Sequence, residues 1–523
     1  MSDAVSDILQ ELTPHPPRSA PERLVRIKPL RNDPRDVLIP TAPQGTARRA
    51  TIRHAIEGLV LARDGGILII GWADDVECPL DAVMISTPTW RVTIAAASLA
   101  RVRRTDVEEA LGATAAHCFG FFGLIAAPAL RDIPDSADIE LQLKNEGLIQ
   151  ATAPCRSLTA EELRDLALGY LASAKYLGNP EAESAAALDG GLGAQLIALN
   201  RAITTRITAA RHIERFGTRR RQPAGSIVVA LYGKPEFLFV QAALYANRPG
   251  IEDYEFIYVC NSPEMTDALL AEARAAQMIY GLPTTIVLLP GNAGFGAANN
   301  AGAAAALGRR IMAINPDVFP RDPAWAARHT ALIDTRPAEE TRLFGCTLYY
   351  DDGSLMHGGM YFELDSTVAV RPGRIEPRRL ARVEHYGKGA PAEADTYARP
   401  RPVPAVTGAF MSVDRPHWEN LGGFTEDYIF GHYEDADLCL KSFAADTPVW
   451  LHDLRLWHLE GKGSTRRPHH EGGSAVNRWL FTRQWSPTIA AGLTGPTPTN
   501  KLLNPTPAPP PPATKPRRKA EKS

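Results

Sequence analysis

Apolar and polar positions change rhythm along the chain. Between residues 51 and 155, short apolar runs at 55–61, 67–72, 82–85 and 92–97 alternate with turn residues, and Asp64-Gly65-Gly66 is a hairpin turn between the first two. This rhythm predicts a small β-sandwich over 47–156. From 157 the spacing becomes helical. Thr159 and Glu162, three apart, form a capping box ahead of Leu163, Leu166, Ala167, Tyr170, Ala174 and Leu177, an apolar stripe of helical period. Leu192, Leu196, Leu199, Ile203 and Ile207 mark a second helix, so 157–221 is expected to be a helical connector.

After Gln222-Pro223-Ala224-Gly225, runs rich in β-branched residues at 226–232, 256–260, 284–289 and 310–314 alternate with helical stretches at 237–245 and 265–280. Strand, helix, strand at these lengths predicts a mostly parallel, Rossmann-like α/β sheet with crossover helices over 222–490. Ligands of such sheets sit at the carboxyl ends of the strands, so residues just beyond each run are the candidates for chemistry. The Pro- and Arg-rich stretch 1–46 and the Thr/Pro-rich, then basic, stretch 491–523 carry no sustained apolar period and are expected to be disordered.

The chain has 523 residues, which suggests about three domains at the usual domain size. Lys plus Arg number 57 against 59 Asp plus Glu, which excludes a strongly electropositive protein that grips nucleic acid by its phosphates. Six scattered cysteines without CxxC spacing indicate neither a disulfide framework nor a cysteine zinc site, and they fit a reducing cytoplasm. The first residues are acidic rather than basic-then-apolar, so no secretory signal is expected. The charge-free stretch 110–130 is interrupted by Gly112, His117, Gly120, Gly123 and Pro128 and reads as buried elements rather than a membrane span. Lys515-Pro516-Arg517-Arg518-Lys519 offers weak attraction to acidic lipid headgroups, so the expected location is cytoplasmic, with peripheral contact at the inner membrane face.

Four stretches lie where a parallel sheet presents its ligands. Asn292-Ala293-Gly294-Phe295-Gly296 opens an Ala-rich helix containing Asn299, a loop where backbone can approach a phosphate at a helix N-terminus, or simply a tight strand-to-helix turn. Asn315-Pro316-Asp317 places a rigidly held carboxylate at a strand end, suited to a hard cation bridging phosphate oxygens and equally to an ordinary turn. Thr407-Gly408-Ala409-Phe410, Gly422-Gly423-Phe424 and Glu434-Asp435-Ala436-Asp437 form a glycine- and aromatic-rich approach to an acidic helix start, whose acids could also serve as plain dipole caps. Trp457-His458 follows; the histidine gains a ligand role only in partnership with Asp317. In the N-terminal module, Trp72 beside Asp74 and Asp75 suits either sugar stacking or a core position next to a turn.

Taken in order, Val229-Ala-Leu-Tyr-Gly-Lys-Pro235, Asn292-Ala-Gly-Phe295, Asn315-Pro-Asp317, Thr407-Gly-Ala-Phe410, Gly422-Gly-Phe424, Glu434-Asp-Ala-Asp-Leu-Cys439 and Trp457-His458 make residues 226–485 resemble the family 2 glycosyltransferases of GT-A fold. The likeness is strongest to the bacterial rhamnosyl- and galactofuranosyl-transferase-like members. The resemblance implies that Asp317 and His458 hold Mg2+ or Mn2+, the former as the last acid of a relaxed DXD motif, and that Asp435 is the general base. It implies donor contacts at Leu231, Tyr232, Gly233, Asn261, Asn292, Gly294, Phe295, Asn299 and Asn315, and an acceptor-side wall at Thr407, Gly408 and Glu434. The implied partners are a nucleotide-diphosphate sugar donor and a glycan or lipid-linked glycan acceptor, in polysaccharide biosynthesis. One departure stands out: Cys260-Asn261-Ser262-Pro263 has Asn where the family usually has Asp after the second strand, so a donor as well as acceptors faces the nucleotide.

Chemistry supports the same assignment. Charge that develops on a departing nucleoside diphosphate can be stabilised by a divalent cation, and the attacking hydroxyl needs one positioned base, so direct displacement with inversion requires only two carboxylates of different function. The Gly/His-rich stretch after His458, with Lys462, Arg466 and Arg467, has the composition of a lid that closes over the diphosphate. The alternatives are a catalytically silent carbohydrate- or nucleotide-sugar-binding protein on the same fold and a nucleotidyltransferase. The first requires loss of Asp317, Asp435 or His458, all of which are present, and the second a basic Gly-rich loop that 231–235 lacks.

Overall fold

The computed structural model describes residues 48–49, 52–127, 130, 132–144, 147–218, 221–371, 374–392, 396–461 and 469–494. The expected disorder of 1–46 and of the tail beyond 494 therefore lies outside the described residues, as do the lid candidates Lys462, Arg466 and Arg467. Residues 491–494 belong to the helix His469–Thr494 rather than to a tail.

The N-terminal runs build a nine-stranded mixed sheet. It is ordered Arg91–Ala95, Leu80–Ser86, Ser136–Leu143, Gly147–Leu158, His54–Ala62, Gly66–Ala73, Gly120–Ile125 and Ala100–Val102, with Arg48–Arg49 paired to the 147 end of Gly147–Leu158. The long strand Gly147–Leu158 joins two halves: Leu148 to Pro154 pair antiparallel with Ser136–Leu143, and Cys155 to Leu158 pair parallel with His54–Ala62. Strand alternation then decides what each side chain covers. Leu59, Leu61, Ile67 and Ile69 share one core with Val83, Ile85, Ile139 and Leu141 of the other half. The intervening Val60, Ala62, Leu68 and Ile70 face Leu163, Leu166 and Ala167 of the helix Ala160–Ser173.

That helix starts with the expected capping box: Glu162 N–H donates to Thr159 Oγ1 (3.2 Å) and Thr159 N–H to Glu162 Oε2 (2.9 Å). It ends at Ser173, so Ala174 and Leu177 lie past it. Helices Pro180–Ala187 and Gly193–Ala209 follow, and 212–216, expected within the connector, is instead the edge strand His212–Phe216 of the second sheet. The helices are no spacer. Leu166, Leu196 and Ile203 sit in one continuous core with Val228 and Val259 of the second sheet and with Leu68 and Phe122 of the first. No helix of the described residues is long and apolar enough to cross a membrane, and 110–130 holds a helix end and the strand Gly120–Ile125.

The second sheet is ordered His212–Phe216, Thr284–Leu288, Tyr254–Cys260, Gly225–Leu231, Arg310–Ile314, Phe410–Asp414, Leu343–Tyr349, Val449–His458 and Val318–Pro320. The expectation of a mostly parallel sheet holds for the four central strands from Thr284–Leu288 to Arg310–Ile314; beyond them the sheet is mixed. Asn315 N–H donates to Ala409 O (2.9 Å), so the chain enters Phe410–Asp414 at the end where Arg310–Ile314 leaves. The two strands must then run antiparallel. The sequence reading missed a two-stranded hairpin, Met360–Arg371 with Arg374–His385, although 360–370 alternates Met, Phe, Leu, Ser, Val, Val on one face.

Candidate active site

At the carboxyl ends of the four parallel strands lies a cavity of about 1260 Å³. Tyr232, Asn261, Asn292, Asn315 and Asp317, each just beyond one of those strands, line it. Its other walls are Thr407, Gly408, Phe430 to Asp435 and His458, residues of the 160–187 helices, the inner end of the hairpin, and the first turns of His469–Thr494.

The register of the sheet brings Asp317 and His458 together. Val318 pairs with His458 across the ladder between Val318–Pro320 and Val449–His458, and Leu459 N–H donates to Asp317 O (3.1 Å). His458 Nε2 consequently stands 3.4 Å from Asp317 Oδ1, with both residues at 5% exposure or less. Helix Phe237–Tyr245 holds this turn from behind: Gln241 Nε2 donates to Asn315 O (3.0 Å) and Tyr245 Oη–H to Val318 O (3.1 Å). His458 Nδ1 is buried without a hydrogen-bond partner among the described residues.

Asp435 is half-buried at the cavity wall in the first turn of Glu434–Ala444. Both of its oxygens accept backbone amides, Oδ2 from Gly408 (2.9 Å) and Oδ1 from Ala436 (2.8 Å), which fixes the carboxylate. The other two acids of the cluster differ sharply. Glu434 is 5% exposed and its Oε2 has no partner among the described residues; burial, then the Asp435 charge, pushes its carboxyl well above the ordinary value. Asp437 is fully buried away from the cavity and accepts from Thr425 Oγ1, Trp485 Nε1 and Tyr428 Oη, with Lys441 Nζ 3.2 Å away. It ties the last helix to the fold.

The approach to Asp435 is strained. Phe430, His432 and Tyr433 all have positive φ (62°, 83° and 77°), a conformation costing on the order of 1–3 kcal/mol for each such residue. Asn477 opposes that cost. Its side chain accepts Ile429 N–H (2.7 Å) and donates to the carbonyls of Ile429 (2.9 Å), Gly431 (2.7 Å) and His432 (3.3 Å). From the other side Arg164 lies 4.4 Å over the Phe430 ring.

On the expected donor side the outcome is divided. Leu231, Gly233, Gly294 and Asn299 are not among the lining residues. Leu231 ends its strand pointing into the core, and alternation turns Tyr232 to the cavity instead. Gly233 N–H donates to Ser262 Oγ (3.1 Å), and Asn299 Nδ2 turns back to Phe295 O (2.9 Å). Gly294, at φ 84°, lets the loop pass the Phe430 backbone, which a Cβ would approach to 3.2 Å. Asn261 lines the cavity, yet its amide knits the loop: Oδ1 accepts Ala293 N–H (2.8 Å) and Nδ2 donates to Asn292 Oδ1 (3.0 Å). The start of Phe295–Ala305 is covered as well, since Phe295 N–H already donates to Phe430 O (2.5 Å) and Gly296 packs on Phe424. One amide of that helix start is thus already engaged, while the Phe295 side chain lines the cavity.

Several site residues carry no signal in the motifs. His385 reaches the cavity from the hairpin and stands 3.1 Å from the buried His357 through their Nδ1 atoms; burial lowers the pKa of both. Arg478 bridges Glu181 (2.8 Å) and Asp365 (2.7 Å) at the opposite wall. Trp72 is half-buried, and Asp75 beside it is paired with Arg101 (2.7 Å).

No protein-family model matches the chain. The uncharacterised protein y4gI of Sinorhizobium fredii (strain NBRC 101917 / NGR234) is 31% identical over 179 residues, 34% of this chain and 18% of that protein. The chain thus spans less than a fifth of that relative's length. Among solved structures it is similar to the mannosyltransferase PcManGT from Pyrobaculum calidifontis in complex with GDP-Man and Mn2+. The TM-score is 0.32 at 16% identity, covering 61% of this chain and 89% of that one. It is also similar to GalNAc-T7 with UDP, GalNAc and Mn2+, at a TM-score of 0.34 and 15% identity over 52% of each chain. At those scores neither likeness bears on what this chain does.

Proposed function

We propose that the chain is an inverting glycosyltransferase of GT-A type that moves a hexosyl or deoxyhexosyl group from a nucleotide-diphosphate sugar to a hydroxyl of a glycan or lipid-linked glycan. The observation that carries this reading is a division of labour within one cavity: a buried Asp317–His458 pair on one wall, and on another the carboxylate of Asp435, oriented by two backbone amides. A carboxylate oxygen and an imidazole nitrogen side by side fit Mg2+ or Mn2+. Among the described residues no group of three His, Cys, Asp or Glu converges, which suits a cation that takes its remaining ligands from diphosphate and water. The chemistry supplied by a cation bound there is neutralisation of charge on the departing diphosphate.

The chain's own residues do the rest. Asp435 accepts the proton of the acceptor hydroxyl as its oxygen attacks the anomeric carbon. The bond from that carbon to phosphate breaks with its electron pair leaving on the diphosphate, and attack on the opposite face inverts the centre. Tyr232, Asn292 and Asn315, at the strand ends, bound the donor half of the cavity, with Asn261 holding the 292–294 loop in place. Thr407, Gly408 and Glu434, with the 160–187 helices and His469–Thr494 opposite, bound the acceptor half. The test is incubation of the full chain with radiolabelled nucleotide sugars, with Mn2+ and with EDTA. Cation-dependent release of nucleoside diphosphate is expected; cation-dependent binding without turnover of any donor would favour a silent binding protein.

A further inference from the structure

We infer that Asn477 is a positioning residue that sets the carboxylate of Asp435 by clamping the loop 429–433; this rests on Asp435 being the base. The loop holds three non-glycine residues at positive φ, and of these only His has any leaning towards that conformation, whereas Phe430 and Tyr433 have none. It therefore has to be imposed by its surroundings. Asn477, on the helix His469–Thr494, is fully buried and spends its whole amide on this one stretch of backbone, accepting from Ile429 and donating to Ile429, Gly431 and His432.

The loop leads directly into the Asp435 helix. Tyr433, at φ 77°, is the residue from which Glu434–Ala444 starts, and Tyr433 O accepts the Asp437 amide (2.8 Å) in the first turn. Relaxing Phe430, His432 and Tyr433 towards ordinary dihedrals would rotate that first turn and withdraw Asp435 Oδ2 from Gly408 N–H. The Asp317–His458 pair is fixed by a different ladder and does not depend on the loop. Asn477 should consequently act more strongly on turnover than on donor binding, which the loop touches only through the contacts of Phe430 with Gly294 and Phe295.

The experiment compares full-length wild type, Asn477→Asp and Asn477→Ala by hydrogen exchange, by calorimetric binding of UDP and GDP with Mn2+, and by transfer rate. Asn477→Asp keeps an acceptor for Ile429 N–H but presents a carboxylate to three carbonyls. Exchange over 429–433 should quicken by roughly tenfold or more while Gly225–Leu231 is unchanged. kcat should fall by about tenfold or more, and by a clearly larger factor than nucleotide Kd rises. Thr482→Ala is the control on the same helix: it removes the bond from Ala381 N–H (2.8 Å), and should lower Tm without quickening the loop or changing kcat.

Exchange that rises equally in all segments, or a quickened loop with unchanged kcat, would overturn the inference. The wild type gives a test that needs no variant, since the Ile429 amide should be protected like a core strand, and rapid exchange there would also overturn it. Failure of the base assignment looks different, because Asp435→Asn would then retain transfer.

Discussion

Asp435→Asn is the most informative single change, and its cost has two separable parts. Loss of a general base slows transfer by about 10²- to 10⁴-fold, or ~2.7–5.4 kcal/mol of barrier at 1.36 kcal/mol per decade. The second part comes from the surroundings. Because both carboxylate oxygens accept backbone amides, the Asn NH2 must confront either Gly408 N–H or Ala436 N–H, whichever way the amide is turned. One donor is left unpaired at a half-buried site, worth about 1–3 kcal/mol of stability, so Asn is not a silent isostere here. The rate must therefore be read well below the melting transition, with the folded fraction checked by circular dichroism. Transfer of radiolabelled sugar should drop by at least about 10²-fold while calorimetric nucleotide affinity persists. A variant that melts several degrees lower yet transfers within about tenfold of wild type would refute the assignment and leave Asp435 as a helix-start brace.

Asp317→Asn and His458→Ala should each weaken Mn2+ and nucleotide binding together, and EDTA should do the same to the wild type; calorimetry with either nucleotide reads both, and affinity indifferent to chelator would count against the pair as a cation site. Glu434→Gln should stabilise the protein as pH rises. Folding lifts the Glu434 pKa well above 4.5, mainly by burial, so the folded chain keeps a proton that the unfolded chain releases. Its stability is full below about pH 4.5 and declines towards the raised value. The Tm advantage of Gln should thus be absent near pH 4 and grow by pH 7, and a pH-independent difference would contradict a buried neutral carboxyl. Gly408→Ala should cut transfer with little loss of nucleotide affinity, because a Cβ there would lie 3.2 Å from the Phe295 ring and 3.4 Å from Asp435 Cβ.

What the sequence made legible follows the backbone's own rules. Asp317, Asn292 and Asn261 stand one to four residues past apolar runs, and strand ends are readable from periodicity. Asp435 and His458 were legible through motif order, although only the ladder register explains why a residue at 458 meets one at 317. His385 and Arg478 were not legible, because they reach the cavity through a hairpin and a helix whose placement is tertiary. The loop 429–433 was hidden for another reason: residue identity advertises left-handed backbone only when Gly, Asn or Asp supplies it, and here a distant Asn477 does the work. Asn261 shows the converse. Its position past a strand marked it as a ligand contact, but its polar atoms are largely committed to the neighbouring loop.

The core that runs unbroken from the first sheet through the helix Ala160–Ser173 to the second has a consequence for how such a protein can change over evolutionary time. Recombination joins modules at points where few contacts cross. The helix Ala160–Ser173 offers no such point: Leu163 and Leu166 answer to strands on one side and Arg164 to the Phe430 loop on the other, while Gly472 lets the last helix rest directly on the Leu168 carbonyl. An exchange of the N-terminal sheet for a foreign one would have to bring its own helices, and those helices wall the cavity. The two halves are therefore bound to diversify together, each substitution in one filtered by its fit to the other.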